Sequence, residues 1–136
     1  MKVMALDYGS ARTGVAVSDP TGTLARPLSI VKKAGTEAGL AELVLLIAEE
    51  DAEQIVVGLP LTLRGERGEQ AVETERFVES LRAAVDIPVE LFDERFTTAL
   101  AQQTAQSIGS SAAPEDAIAA AHLLSGWLEW SAARSS

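Results

Sequence analysis

The stretch "VMALDYGSARTGVAVSD", Val3–Asp19, decides how the rest of the chain is read. Four apolar residues, Val3 to Leu6, run into a single acid, Asp7. Turn residues from Gly9 to Gly14 follow, and then a second apolar run, Val15 to Val17. Two short apolar runs bracketing a Gly- and Ser-containing loop predict a hairpin, with strands at 2–8 and 14–18. A carboxylate that deep in a strand pattern is costly unless something compensates it. Asp7 therefore needs a partner, and the remaining sequence is read with that question open.

Working outward, "RPLSIV" (26–31) predicts a third strand. From Thr36 the period changes: Leu40, Leu43, Val44 and Ile47 fall at helical spacing, with Thr36 as N-cap. "QIVVGLP" (54–60) is a continuous β-branched run stopped by Gly-Leu-Pro, the pattern of a strand buried on both faces. "LTLRGERGE" reads as loop. A second helix is predicted from Glu69 to Val85, with Val72, Phe77, Val78 and Leu81 inward. "PVELF" (88–92) is a further strand, Thr97 or Thr98 caps a helix through Ala105, and "SIGSSAAPED" is a connection. Pro114 suits the first turn of a final helix running through Trp130. The order predicts one α/β domain over 1–136, a mixed five-stranded sheet flanked by helices.

Composition narrows the function. With 136 residues, 47% of them apolar, the chain can bury one substantial core. It has no cysteine, which excludes thiolate nucleophiles, disulfides and Cys-based zinc sites. No signal peptide or membrane-length apolar run is visible, so the expected location is the cytoplasm, away from membranes. The net charge is −9. A protein that grips nucleic acid through a broad basic surface would carry the opposite sign. Any such role must rest on a local basic rim, or on bound cations that invert the sign of an acidic site.

Sites in open α/β sheets form beyond the carboxyl ends of parallel strands. Three strand ends carry unusual chemistry here. One ends in Asp7-Tyr8-Gly9. Another ends in Gly58-Leu59-Pro60 and opens into a loop bearing Arg64 and Arg67. The third ends in Asp93-Glu94-Arg95. Asp116 stands at the entrance of the last helix. Each acid also has a structural reading: Asp7 satisfied by loop amides, Asp93 and Glu94 paired with Arg95, and Asp116 placed against a helix dipole. Taken together, clustered carboxylates repel unless a proton or a metal intervenes. Hard oxygen donors without sulfur suit magnesium or manganese. Two such ions about 3.5–4 Å apart activate water and stabilise a leaving oxygen in phosphodiester cleavage.

"ALDYGSARTGVAVSD", "IVVGLPLTLRGERGEQ", "VELFDERFTT" and "EDAIAAAHLL" together resemble the YqgF family of ribonuclease-H-like proteins, also described as Holliday-junction-resolvase-like nucleases or pre-16S rRNA nucleases. The resemblance covers nearly the whole chain, in order. It implies a ribonuclease-H-like fold, dependence on Mg²⁺ or Mn²⁺, and maturation of the 5′ end of 16S ribosomal RNA. Carried onto this sequence it assigns catalysis and metal binding to Asp7, Glu94 and Asp116. Arg12 and Arg95 are placed to hold a phosphate. Arg64, Arg67 and Thr97 are expected on the substrate side, Thr97 with a second reading as a helix cap.

Two departures stand out. Thr62 occupies a position commonly Asn in the family, and "SSAAPED" lacks the lysines often found before the last acid. His122, about 240° around the helix from Asp116, is expected to be structural. Trp127 and Trp130 are expected to cover the core rather than stack bases.

Three rival functions remain. The first hairpin also resembles the phosphate-binding hairpin of actin-like ATPases, but no second such hairpin or second domain is present. A Holliday junction resolvase would act on branched DNA as a homodimer, since a junction presents two symmetric strands. A non-catalytic ribosome-assembly protein would bind the ribosome precursor while keeping the fold. RNA processing, by a monomer or a homodimer, ranks first.

Overall fold

The computed structural model describes residues 1–61, 64–93 and 114–135. Its strands are β1 (Val3–Asp7), β2 (Arg12–Ser18), β3 (Ala25–Lys32), β4 (Gln54–Leu59) and β5 (Val89–Asp93). Its helices are α1 (Glu37–Glu49), α2 (Glu69–Ala84) and α3 (Glu115–Ser135). The strands form one sheet in the order β3-β2-β1-β4-β5. β1 and β2 form the expected hairpin, β3 adds antiparallel to β2, and β1-β4 and β4-β5 pair in parallel. The mixed sheet is thus antiparallel on one side of β1 and parallel on the other.

Alternation along the strands sorts the core into two halves. Met4, Leu6, Val15, Val17, Ile55 and Val57 point to one face, where Leu43 and Ile47 of α1 and Phe77, Val78 and Leu81 of α2 cover them. Val3, Ala5, Ala16, Val56 and Phe92 point to the other, under Ala120, Ala121, Leu124 and Trp127 of α3. A fully buried Leu or Val contributes about 1.5–3 kcal/mol relative to exposure. Because both faces are covered, β1 is apolar from Val3 to Leu6 and β4 from Ile55 to Leu59, as the unbroken runs in the sequence implied.

Local chemistry sets the boundaries. Thr36 caps α1, its Oγ1 accepting from the Gly39 amide at 3.1 Å and donating to the Lys33 carbonyl at 2.7 Å. In the last turn of α2, the Arg82 guanidinium donates to the Val89 carbonyl at 2.8 and 3.2 Å, tying the helix to the start of β5. The register shift between Val15 and Ala16 falls opposite Pro27, which has no amide to give to a ladder. The Pro114 carbonyl accepts from the Ala117 and Ile118 amides, both at 3.0 Å.

Some expectations shift. α3 continues past Trp130 to Ser135, because "SAAR" contains no residue that stops a helix. On α2 the buried positions are Ala71 and Thr74 as well as Phe77, Val78 and Leu81, while Val72 is only half-buried. The predicted helix through Ala105 and the Thr97 and Thr98 caps lie outside the described residues.

Candidate active site

Asp7 is the last residue of β1, and its cross-strand partner on β2 is Gly14. An ideal β-carbon on Gly14 would lie 1.8 Å from the Asp116 carbonyl oxygen. Only glycine allows the first turn of α3 to come down onto the hairpin there. That approach brings the acid at the head of α3 to the acid at the end of β1. Burial raises the pKa of Asp7, and the nearby charge of Asp116 raises it further. Among the described residues no loop amide satisfies the Asp7 carboxylate, so the pairing with backbone that the sequence left open does not form.

Arg12 opens β2 and reaches back to this pair. Its Nε lies 3.2 Å from Oδ2 of Asp116, with 62% and 38% of the two side chains exposed. An ion pair that open to water contributes at most about 1 kcal/mol, so Arg12 is available to other anions. The loop between Asp7 and Arg12 is tight: a β-carbon on Gly9 would stand 2.5 Å from the Arg12 carbonyl oxygen.

A cleft of about 230 Å³ opens where β1 and β4 part, bordered by Asp7, Tyr8, Gly58 and Pro60. Its far wall is α2, through Gln70, Glu73 and Thr74. Tyr8 stacks on Phe77, with ring centroids 4.4 Å apart and planes at 17°. Burial, and then the charge of Glu73, raise the pKa of the Tyr8 hydroxyl. The α2 wall is the part of the site that the sequence reading missed. Its signal was a polar stripe at three- and four-residue spacing, Gln70, Glu73 and Thr74, just after the Arg-bearing loop.

The other predicted residues fall as follows. Glu94, Arg95 and Thr97, with Thr62, lie outside the described residues. Asp93 pairs with Leu59 and stands two and four residues after Leu91 and Val89, which puts it on their side of the sheet, the α2 face, away from α3. Arg67 is not brought to the acids; Glu75 of α2 holds it, accepting from Nε at 2.9 Å. Arg64 is exposed in its turn. Trp127 is buried, donates to Glu90 at 2.5 Å and packs on the core, and Trp130 packs on Phe92 with centroids 5.3 Å apart. The Nε2 of His122 is enclosed, without a hydrogen-bond partner among the described residues.

Among the described residues no group of three His, Cys, Asp or Glu stands together as a metal site. The two that do meet, Asp7 and Asp116, are hard oxygen donors, and their mutual repulsion is what a divalent cation would relieve. The donor chemistry fits magnesium or manganese. No described helix is long and apolar enough to cross a membrane.

Residues 1–130 match the family described as "RuvX: Holliday junction resolvase". A "Putative pre-16S rRNA nuclease" from Chloroflexus aurantiacus is 40% identical over 131 residues, covering 93% of this chain and 86% of that protein. A relative of the same name from an Anaeromyxobacter species is 41% identical over 133 residues, with 95% and 97% covered. Among solved structures, Thermus thermophilus RuvC in complex with a Holliday junction substrate superposes with a TM-score of 0.67 at 16% identity, covering 98% of this chain and 96% of that one. At that identity the likeness shows a shared fold, the ribonuclease-H-like one expected from the sequence.

Proposed function

The chain belongs to the RuvX family, and from that premise we propose that it is a divalent-metal-dependent nuclease that matures the 5′ end of pre-16S rRNA by phosphodiester hydrolysis. The observation that carries this reading is the meeting of Asp7 and Asp116, from opposite ends of the chain, at the carboxyl end of β1. An apolar-flanked acid is expensive, and a second acid beside it more so. That arrangement is useful where a hard cation is to be bound. The names of the relatives supply the substrate class.

In this mechanism Asp7 and Asp116, with Glu94 as the family resemblance assigns it, would hold Mg²⁺ or Mn²⁺. A divalent cation held there would supply an activated water and charge neutralisation at the scissile phosphate. The protein's own residues do the rest. Gly14 sets the spacing of the two acids by admitting the head of α3. Arg12 orients Asp116 and offers its remaining N–H donors to a phosphate oxygen. Arg95 and Thr97 are assigned to the substrate strand by the family resemblance, and Arg64, exposed in its turn, is a further cation open to it. Such a protein works in the cytoplasm on the ribosome precursor.

One observation favours a second reading. The family description names a Holliday junction resolvase, an enzyme whose substrate is branched DNA. Incubating the purified protein with pre-16S RNA and with a synthetic four-way junction, each with Mg²⁺, Mn²⁺ or EDTA, separates the two. Metal-dependent trimming of the RNA is the expected result. Cleavage of the junction alone replaces it with the resolvase reading, and binding without cleavage of either leaves a non-catalytic assembly protein.

A further inference from the structure

A second hollow, of about 290 Å³, lies beside the cleft at Asp7. Tyr8, Ser10 and Glu73 border both, so the two make one groove. One wall is a single stripe of α2, from Gln70 through Glu73 and Phe77 to Ser80. At 1.5 Å per residue the stripe runs roughly 15 Å along the helix, starting at the cleft that Asp7 borders.

Three features of this groove are complementary to one kind of ligand. The first is a flat platform held in place. Phe77 supports the Tyr8 ring from below. A β-carbon on Gly35 would sit 2.7 Å from the Tyr8 hydroxyl, so glycine there leaves the ring its present position. A pre-positioned aromatic loses little freedom when something stacks on it. The second is Glu73, exposed and, among the described residues, in no ion pair. Its carboxylate presents two acceptors side by side. The third is Arg76, an exposed cation one turn further along the same wall.

A platform for a π-face, a paired acceptor for N–H donors and a cation for phosphate together describe a nucleotide. Guanine alone among the bases offers two adjacent N–H donors, N1–H and the 2-amino group, that match both oxygens of a carboxylate. We propose that this groove is a nucleobase subsite, which takes a guanine flanking the scissile phosphate of single-stranded RNA, stacked on Tyr8 and read by Glu73. The choice of RNA rests on the nuclease reading above; the stacking and the acceptor pair are independent of it.

The test uses six-nucleotide RNAs, uridine throughout except for one central G, A, C or U. Binding to the full-length Asp7→Asn protein is followed by fluorescence anisotropy with Ca²⁺ present. The guanine RNA is expected to bind about tenfold more tightly than the other three, the discrimination a paired hydrogen bond provides. Glu73→Gln should remove that preference while leaving the adenine RNA unchanged. Tyr8→Leu should weaken all four by about tenfold, the effect of a lost stacking platform, with the far-UV circular dichroism of the parent. Equal binding of the four RNAs, no measurable binding of any, or a preference that survives Glu73→Gln would each overturn the subsite. Cleavage by the unsubstituted protein with Mn²⁺ is read separately. RNA that is discriminated but never cut sinks the nuclease reading and keeps the subsite, and RNA cut without discrimination does the reverse.

Discussion

The carbonyl oxygen of Asp116 stands 1.8 Å from where a β-carbon on Gly14 would be. Gly14 is also the cross-strand partner of Asp7. One missing side chain thus decides how closely α3 approaches the end of β1. The obstructing atom is backbone, which cannot rotate away. Gly14→Ala is expected to cost on the order of 1–3 kcal/mol through forced displacement of the helix. Cleavage should fall further than stability does, because the two acids part. Urea denaturation alongside an RNA-cleavage assay checks both, and wild-type values in the two together would refute the close approach.

Asp7→Asn is expected to abolish metal-dependent cleavage while keeping the fold, since Asn is nearly isosteric but supplies no anion. The pH dependence has a definite sign. Burial and Asp116 raise the folded-state pKa of Asp7 above its ordinary 3.8. The folded state therefore holds this proton more tightly than the unfolded one. Its stabilising contribution is full below the ordinary value and is lost as pH rises through the raised one. In EDTA, the wild type should lose stability relative to Asp7→Asn as pH climbs from about 4 toward neutrality. Thermal melts of both proteins across that range measure the difference, and a gap that narrows with rising pH would contradict it.

At the end of β5 the two acids are expected to behave differently. Asp93 lies on the α2 face with Val89 and Leu91, on the far side of the sheet from α3. Asp93→Asn should leave cleavage within a few-fold of wild type, and Glu94→Gln should eliminate it. Single-turnover rates for the two variants rank them. The reverse ranking would move the metal ligand to Asp93.

Arg12 and Arg67 are predicted to part company in salt titrations. Arg12 stands at the acidic pair, whereas Glu75 holds Arg67 on α2. With a net charge of −9, the protein should bind single-stranded RNA weakly without a divalent ion, and with a shallow salt slope when Ca²⁺ is added. Arg12→Gln should reduce that slope by about 0.7, the contribution of one phosphate contact on a single strand. Arg67→Gln should leave it almost unchanged. Anisotropy titrations on the Asp7→Asn background at several salt concentrations resolve the two, and tight, steeply salt-dependent binding without metal would reveal a basic surface absent from this account.

Local pattern and turn chemistry were enough to place the hairpin around Asp7, the Thr36 cap, the doubly buried strand 54–59 and the apolar last helix. Each of these depends on residues within a few positions of one another, and alternation or helical period records which face is buried. Pairing Asp7 with Asp116 needed the resemblance to a family, because nothing in the spacing of two residues from opposite ends of the chain states that they meet. Only the tertiary structure decided what Gly14 is for, that Arg12 turns to Asp116 while Arg67 turns to Glu75, that Asp93 faces away from α3, and that Glu73 forms the wall opposite Asp7. These relationships depend on how helices dock on a sheet whose strand order, β3-β2-β1-β4-β5, differs from chain order. Docking is set by the summed packing of two core layers, a property of the whole chain that no short window contains.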